Sequence, residues 1–292
     1  MKLKGVILDL FNTEILKKYC LKNNQTLYIR QELLMTVNIK KYDSEIMVKT
    51  ERRKRTVEDR DVWHHVFDLP TEKIIQKIIN RRVIDTLDYA ISSGKESGVY
   101  RATSKSGYYA VKIYRITDSS FRNLPYYIFA EERFLQVKKK WHQLVFAWAL
   151  REYKNLTIMH ESSVPVPRPV MVLKNILIEE FLGEDGVAYP ILQKYNGIID
   201  VKLWNDIINS VKTIYYKANM VHGDLSEYNI IIGKNNMHYI IDVSQAVKKE
   251  HPAAKELLLR DLKTIGKFFI KKGVKVNIEE TVKIFEKDGV NP

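Results

Sequence analysis

Two stretches of the chain have the hydrophobic pattern of β-strands. In the first, residues 108–114, side chains alternate between a face with Tyr109, Val111 and Ile113 and a face with Ala110, Lys112 and Tyr114. The second, residues 176–182, is mostly apolar and ends just before Gly183. The pattern predicts two strands in the first part of the protein, the second of them running into a linker.

A third apolar pattern predicts a β-hairpin. Residues 230–232 are a run of isoleucines, residues 233–236 have the composition of a turn, and residues 237–241 form a second, largely apolar strand. In an antiparallel pair centred on that turn, Asn229 lies roughly opposite the end of the second strand, where Asp242 follows. Mg²⁺ binds through one or two such oxygens and leaves its other positions to water and nucleotide phosphates. Asn229 and Asp242 are therefore the predicted metal ligands.

Two longer segments have the spacing of amphipathic helices. Residues 141–159 carry a face, with steps of three and four, that comprises Leu144, Trp148, Glu152 and Asn155. A second segment follows His251 and Pro252, and its inward face comprises Leu257, Leu258, Asp261, Leu262, Ile265, Phe268 and Phe269. Gly273 is its predicted C-terminal cap.

A glycine-containing loop precedes the first strand pattern and is suited to phosphate. Gly94 and Gly98 separate small or polar residues, which lets backbone amides approach phosphate oxygens closely. The predicted ATP-binding loop comprises Ser92, Ser93, Gly94, Lys95, Glu96, Ser97, Gly98 and Val99. An ordinary turn is the alternative, because no Gly-Lys-Ser/Thr sequence of the Walker type opens a helix here.

Three further residues fit a nucleotide site. Ala110 leaves room for an adenine ring beside Lys112, whose ammonium can reach the α- and β-phosphates. A strand-edge lysine that only discourages aggregation is the alternative. Asp224, on the loop before the hairpin, can orient an attacking hydroxyl or water, or accept its proton. With Asn229 and Asp242, these residues predict phosphoryl transfer.

These features follow one another as they do in RIO kinases, an atypical branch of the protein kinase fold. In chain order the matching blocks are residues 91–100, 111–114, 121–124, 130–133, 164–169, 222–229, 241–245, 251–252 and 260–262. The chain resembles this family, and its first (Rio-one type) subfamily more than the winged-helix second one. Its length is similar to that of archaeal members.

The resemblance implies an α+β fold of the bilobal, protein-kinase-like type. An antiparallel N-terminal sheet with helix C would be followed by a reduced, helical C-terminal lobe without an activation segment. The implied regions are an N-terminal extension at residues 1–55, N-terminal helices and the N-terminal lobe at 56–182, and the C-terminal lobe at 183–292. No Ala-Pro-Glu sequence follows Asp242, which agrees with a missing activation segment.

The resemblance also implies an activity. It implies an ATP-dependent serine/threonine kinase or ATPase that acts in maturation of the small ribosomal subunit and phosphorylates itself. ATP is the implied substrate and Mg²⁺ the implied metal, with Mn²⁺ as a substitute. Asp242 would itself receive the γ-phosphate, giving an aspartyl-phosphate, which a carboxylate is chemically able to form.

Further site residues come from the same resemblance. Glu152 matches the helix C glutamate that pairs with Lys112, and Glu131 and Glu132 are the competitors. The backbone at Glu180 and Leu182 would bond the adenine edge.

The sequence departs from the family pattern at three positions and leaves other functions open. Ser93 and Ser97 stand where the family usually has Thr and Ala. Gly223 stands where it often has Ala, and this glycine also occurs in aminoglycoside-type phosphotransferases, which makes a small-molecule phosphotransferase the second hypothesis. A non-catalytic RNA-binding scaffold is the third. Residues 4–13 resemble the nucleophile loop of haloacid-dehalogenase hydrolases, with Asp9 as nucleophile, but the kinase pattern starts before that domain and its further Lys and Asp motifs could be completed.

Composition adds expectations about partners and location. A chain of 292 residues with 45% hydrophobic residues is large enough for one bilobal domain and a short extension. Its net charge of +13 points to polyanions such as structured RNA, and the resemblance names the pre-small ribosomal subunit, its rRNA or its proteins. Cys20 is the single cysteine, so no disulfide can form within the chain. Without a signal-peptide pattern or an apolar run of membrane-spanning length, a cytoplasmic protein is expected, with no membrane partner.

Overall fold

The structure, a computed structural model, describes residues 67–116 and 141–286. Some predictions concern residues outside these ranges, namely the extension at 1–55, the blocks 121–124 and 130–133, and Asp9, Cys20, Glu131 and Glu132. Helices and strands are numbered below within the two described ranges.

Five strands form an antiparallel sheet in the first part of the described chain. They are β1 (Thr86–Ser93), β2 (Ser97–Ser104), β3 (Gly107–Tyr114), β4 (Pro169–Leu173) and β5 (Ile176–Glu180). Their order in the sheet is β1-β2-β3-β5-β4, and every neighbouring pair is antiparallel. The predicted antiparallel N-terminal sheet is confirmed.

Strand β3 has two faces that pack in different cores. On one side Val111 packs in a cluster with helix α1 (Leu69–Asn80). On the other side Tyr114 joins the larger cluster that includes the C-terminal helices. Helix α1 starts where it does because the Asp68 carboxylate accepts a hydrogen bond from the Thr71 amide at 2.8 Å. The predicted alternation of the strand therefore separates its residues between two cores.

Helix α2 (Trp141–Glu161) lies between the sheet and the C-terminal part of the chain. It contacts β4, β5 and the short 3₁₀ turn Val243–Gln245. The four residues of its predicted face are all buried: Leu144, Trp148, Glu152 and Asn155. The helix runs two residues past the predicted end at Met159, so the prediction is confirmed with a small error in length.

The predicted strand at residues 176–182 is wrong at its end. β5 stops at Glu180, and Phe181 and Leu182 lie outside the sheet. A short hairpin of β6 (Gly183–Glu184) and β7 (Val187–Ala188) follows immediately. Because the chain turns into this hairpin, residues 181–182 connect the sheet to the remaining elements.

The C-terminal part is mainly helical around one core. Its helices are α3 (Val201–Tyr216), α4 (Ala254–Lys271) and α5 (Ile278–Glu286), and its short strands are β8 (Met220–Val221), β9 (Ile230–Ile232), β10 (His238–Ile240) and β11 (Val247–Lys248). The predicted inward face of α4 is buried, and Gly273 follows its end with a positive φ of 84°. Helices α3 and α5 have no counterpart in the sequence predictions. Within residues 67–116 and 141–286, no helix is long and apolar enough to cross a membrane.

Candidate active site

Lys112 joins three separate elements through ion pairs. Its Nζ donates to Glu152 Oε1 at 2.9 Å and to Asp242 Oδ1 at 3.0 Å, so β3, α2 and the segment after β10 meet at one ammonium. Burial opposes the charge of Lys112, but the carboxylates of Asp242 and Glu152 outweigh it and raise the pKa of Lys112. The lysine is therefore a permanent cation. Its pairing with a helix glutamate, expected from the sequence, is made by Glu152.

Asp242 sits in a constrained conformation at the end of the hairpin. Its φ of 57° and ψ of 58° are left-handed, and the Ser244 hydroxyl donates to its Oδ1 at 2.9 Å. Burial disfavours the Asp242 carboxylate, but the charge of Lys112 and the hydrogen bonds from Lys112 and Ser244 outweigh it, so the pKa of Asp242 is lowered. The side chain stays 43% exposed. Both hydrogen bonds use Oδ1, which leaves Oδ2 for a ligand.

The hairpin pairs Asn229 with Ile241, the residue before Asp242, in agreement with the predicted register. The Ile241 amide donates to Asn229 O at 3.0 Å, and His238, Tyr239 and Ile240 pair with Ile232, Ile231 and Ile230. The Asn229 Nδ2 donates to the backbone oxygen of Asp224 at 2.8 Å, so Oδ1 is the free ligand atom of this amide.

The oxygens at this end of the hairpin fit a hard cation. Asn229 Oδ1 and the Asp242 carboxylate are the atom types that Mg²⁺ prefers. Among the residues that the structure describes, no three His, Cys, Asp or Glu side chains converge on a metal position. A site with so few protein ligands suits a cation whose remaining positions are filled by phosphates and water.

Asp224 faces the same cluster from the loop before β9. Its Oδ2 accepts a 3.3 Å hydrogen bond from Gln245 Nε2. Burial and the nearby Asp242 carboxylate raise the pKa of Asp224, against smaller lowering effects of Arg260 and Asn229. A carboxylate held this way is suited to accept a proton.

His222 connects the two aspartates through the backbone. Its Nδ1 accepts from the Asp224 amide at 3.2 Å, and its Nε2 donates to Ile241 O at 3.1 Å. Burial lowers the pKa of His222, so the ring is neutral and carries its proton on Nε2. The ring thus ties the Asp224 loop to the strand that ends at Asp242.

Asp261 of α4 binds the backbone of the loop that carries Asp224. Its carboxylate accepts hydrogen bonds from the amides of Gly223 at 2.7 Å and Leu225 at 2.9 Å, and the Arg260 guanidinium donates to Gly223 O. Burial raises the pKa of Asp261 to about 7, although both amides pull it down. Gly223 has a φ of 79°, a left-handed value that glycine adopts without steric cost. The sequence predictions give Asp261 no role beyond its helix face.

The glycine loop is a tight connection between the end of β1 and the start of β2. The Gly94 amide donates to Ser97 O at 2.8 Å, and the Arg115 guanidinium donates to Ser93 Oγ at 3.1 Å. Val99 pairs directly with Lys112, so the two side chains lie on one sheet face. The loop therefore lies close to Lys112 and its ion-pair partners. That it binds phosphate stays a prediction.

The linker after β5 offers a backbone donor. The Glu180 amide donates to Arg168 O at 2.9 Å, and Leu182 O accepts from the Tyr189 amide at 3.0 Å. Within the described ranges the Leu182 amide donates no hydrogen bond. The Leu182 amide is therefore available to donate a hydrogen bond to a nucleobase.

Comparison with known proteins identifies the family of this arrangement. Residues 98–282 match the RIO domain family, which is more than half of the chain. The chain belongs to the RIO domain family.

The most similar relatives include proteins of eukaryotes and an archaeon. A serine/threonine-protein kinase RIO1 of Caenorhabditis elegans is 32% identical over 246 residues, covering 83% of this chain and 48% of the relative. A RIO-type serine/threonine-protein kinase Rio1 of Methanocaldococcus jannaschii is 31% identical over 253 residues, covering 87% of this chain and 86% of the relative. The chain spans about half, or less, of the length of the first curated relatives it matches.

Solved structures show the same fold. A crystal structure of the Rio2 kinase from Chaetomium thermophilum has a TM-score of 0.57 at 24% identity, covering 74% of this chain and 68% of that chain. A complex of the same kinase with ADP, Mg²⁺ and phosphoaspartate has a TM-score of 0.56 at 23% identity, covering 74% and 66%. At these identities the likeness shows the fold, and the predicted kinase-like α+β fold is confirmed.

The RIO domain also braces the Asp242 turn from helix α2. Arg151 is fully buried, and it donates to Ser244 O at 2.7 Å and to Ala246 O at 2.6 Å. Asn155, one turn along, donates to Val243 O at 2.8 Å. The helix that carries Glu152 is therefore bonded directly to the turn after Asp242. No residue pattern in the sequence marks these contacts.

Replacing Arg151 by Met is expected to lower the free energy of unfolding by about 2–4 kcal/mol, because two buried carbonyls lose a charged donor. Urea unfolding of the RIO domain measures this. Lys263→Met, an exposed substitution on α4, is the control and should stay within about 0.5 kcal/mol. Equal stability of Arg151→Met and wild type would show that the brace contributes nothing.

Proposed function

We propose that this RIO domain binds ATP with Mg²⁺ and transfers its γ-phosphoryl group, as a serine/threonine kinase or ATPase. The observation that carries the proposal is Lys112 held between Glu152 and Asp242, with Asn229 and Asp224 beside them. Phosphoryl transfer depends mostly on positioning and on stabilising negative charge, and this cluster supplies both. Relatives named as serine/threonine-protein kinases support the same activity.

Each residue has a role that follows from its atoms. Lys112 would neutralise the α- and β-phosphates, since its charge is fixed by the surrounding carboxylates. Asn229 and Asp242 would hold Mg²⁺, which when bound neutralises charge on the phosphates. The loop at 92–99 would cover the phosphates, and the Leu182 amide would bond the base. The Rio2 complex with ADP and Mg²⁺ supports a magnesium nucleotide as the ligand of this fold.

We infer that Asp242 is the first acceptor of the phosphoryl group. A free Asp242 oxygen bonds to the γ-phosphorus while the bond to the β,γ-bridging oxygen breaks, and ADP leaves with the electron pair. A water then attacks the phosphorus and Asp224 takes its proton, while the bond from phosphorus to the Asp242 oxygen breaks. The electron pair returns to the Asp242 carboxylate, and inorganic phosphate is released. The phosphoaspartate named in the Rio2 complex supports the first of these steps. The lowered pKa of Asp242 keeps the nucleophile ionised.

The partner would be a polyanion of the maturing small ribosomal subunit in the cytoplasm. The net charge of +13 supports an RNA-rich partner. Binding of purified protein to small-subunit particles, measured over a range of salt concentrations, tests this step, because contacts to phosphates weaken steeply as salt rises.

Labelling with γ-labelled ATP and Mg²⁺ tests the transfer itself. We expect the wild-type protein to become labelled and hydroxylamine to remove the label, because hydroxylamine cleaves acyl phosphates. Asp242→Asn should carry no such label, because it lacks the carboxylate that accepts the phosphoryl group. Asp206→Asn, on the exposed side of α3, should label like wild type.

Two other outcomes would contradict parts of the proposal. Hydroxylamine-stable label on Ser or Thr would mean direct protein phosphorylation, with Asp242 serving only the metal. Absence of both label and Mg²⁺-dependent ATP turnover would overturn the activity.

A further inference from the structure

Glu179 is a carboxyl group that the proposed chemistry does not use. We propose that it selects the nucleobase, by reading the N6 amino and N7 edge of adenine, so that the domain prefers ATP over GTP. This rests on the proposed nucleotide-binding function.

The sheet register places Glu179 on the nucleotide face. Ala110 pairs with Glu179 and Lys112 pairs with Leu177 across the antiparallel β3–β5 pair. Directly opposite residues share a sheet face, and residues two apart share it too. Glu179 therefore lies on the same face as Ala110 and Lys112, as one of the last two residues of β5 and just before the connecting residues 181–182.

The Glu179 carboxyl has no hydrogen-bond partner among the described residues. The two neighbouring glutamates are both engaged: Glu152 Oε1 accepts from Lys112 at 2.9 Å, and Glu180 Oε2 accepts from the Arg168 amide at 3.0 Å. Glu179 is only partly exposed, yet it makes no ion pair in the described ranges. A half-buried carboxyl without a protein partner is suited to form a hydrogen bond with a ligand.

The charged groups that act on the Glu179 carboxyl lie on its own strand and on the neighbouring elements. They are Glu152 of α2, Lys112 of β3, Asp242 after β10 and Glu180 of its own strand. Burial and the Glu152 carboxylate raise the pKa of Glu179, while Lys112 lowers it. A protonated carboxyl has one hydrogen-bond donor, its O–H, and one acceptor, its C=O. The side-chain amide of glutamine likewise places an N–H donor beside a C=O acceptor.

That donor and acceptor pair matches adenine and not guanine. Side-chain amides recognise adenine through N6 and N7, a donor beside an acceptor, whereas guanine presents two acceptors, O6 and N7. If the Leu182 amide bonds N1, the preceding residues lie toward N6 and N7, where Glu179 is. An ionised Glu179 would accept from the same N6 amino group and repel O6. Both protonation states therefore favour adenine.

Binding of MgATP and MgGTP to the whole protein tests this inference. We expect wild type and Glu179→Gln to bind MgATP at least about tenfold more tightly than MgGTP, since one well-paired base edge discriminates by about that factor or more. Glu179→Met should bring the two dissociation constants within about threefold. Glu256→Gln, exposed on α4, is the control and should keep the wild-type ratio.

The outcomes separate this inference from the activity on which it rests. A wild-type ATP/GTP ratio in Glu179→Met, with unchanged thermal unfolding, would overturn the role of Glu179 and leave phosphoryl transfer standing. Loss of preference in Glu179→Gln as well as Glu179→Met would overturn it too, because glutamine offers the same donor and acceptor. No nucleotide binding by wild type would overturn both proposals.

Discussion

Asp224→Asn is expected to slow ATP turnover about 10³-fold while MgATP affinity changes less than about threefold, because a general base contributes about that factor to the rate and little to binding. The backbone contacts of Asp224 to His222 and Asn229 remain in this variant, since neither uses its carboxylate. The loop should therefore keep its shape, and the lost function is proton acceptance.

The same variant distinguishes the two steps of the proposed reaction. Attack of Asp242 on ATP needs no proton acceptor, whereas attack of water on the phosphoaspartate does. Hydroxylamine-labile label should therefore accumulate on Asp224→Asn above the wild-type level while phosphate release falls. Single-turnover labelling and phosphate release measure the two rates. Glu227→Gln, on the same loop, is the control, and normal phosphate release from Asp224→Asn would contradict the assignment.

Local residue patterns predict the parts of the site that one short element determines. The alternation of β3 places Lys112 opposite the face that packs on α1, because a strand has a period of two. The hairpin fixes Asn229 beside Asp242, because its turn sets the register. Helix α3 could also have been predicted, since Asp200 caps it by accepting from the Leu203 amide at 2.9 Å.

Contacts across the fold could not be predicted in the same way. Asp261 holds the amides of Gly223 and Leu225, and Arg151 holds two carbonyls after Asp242, across 36 to 95 positions of sequence. These contacts depend on how α2 and α4 pack, which no local period specifies. The end of β5 at Glu180 is a similar case, because the chain leaves the sheet where the next hairpin begins.

Lys112→Met is expected to reduce turnover by about 10²-fold or more, since it removes the main protein charge that faces the phosphates. It should also lower the free energy of unfolding by about 3–5 kcal/mol, because Glu152 is then buried without its counter-ion. Glu152 Oε2 already has no hydrogen-bond partner among the described residues, so no other donor compensates.

The destabilisation of Lys112→Met should depend on pH. Burial raises the pKa of Glu152 even with Lys112 present, and removing the ammonium raises it further. The folded variant then holds a proton that the unfolded chain releases, so its stability falls as pH rises from the usual glutamate range through the raised pKa. Urea unfolding at pH 6 and pH 8 should show the larger loss at pH 8.

A double variant separates the structural role of Lys112 from its role in transfer. Lys112→Met with Glu152→Gln removes the buried charge along with its partner, so much of the lost stability and most of its pH dependence should be recovered. Turnover should stay as low as in Lys112→Met, because the phosphates still lack their cation. If the double variant were no more stable than Lys112→Met, the ion pair with Glu152 would not be the source of the loss. If Lys112→Met turned over ATP like wild type, Lys112 would have only a structural role, and the site would have to neutralise the phosphates through other groups.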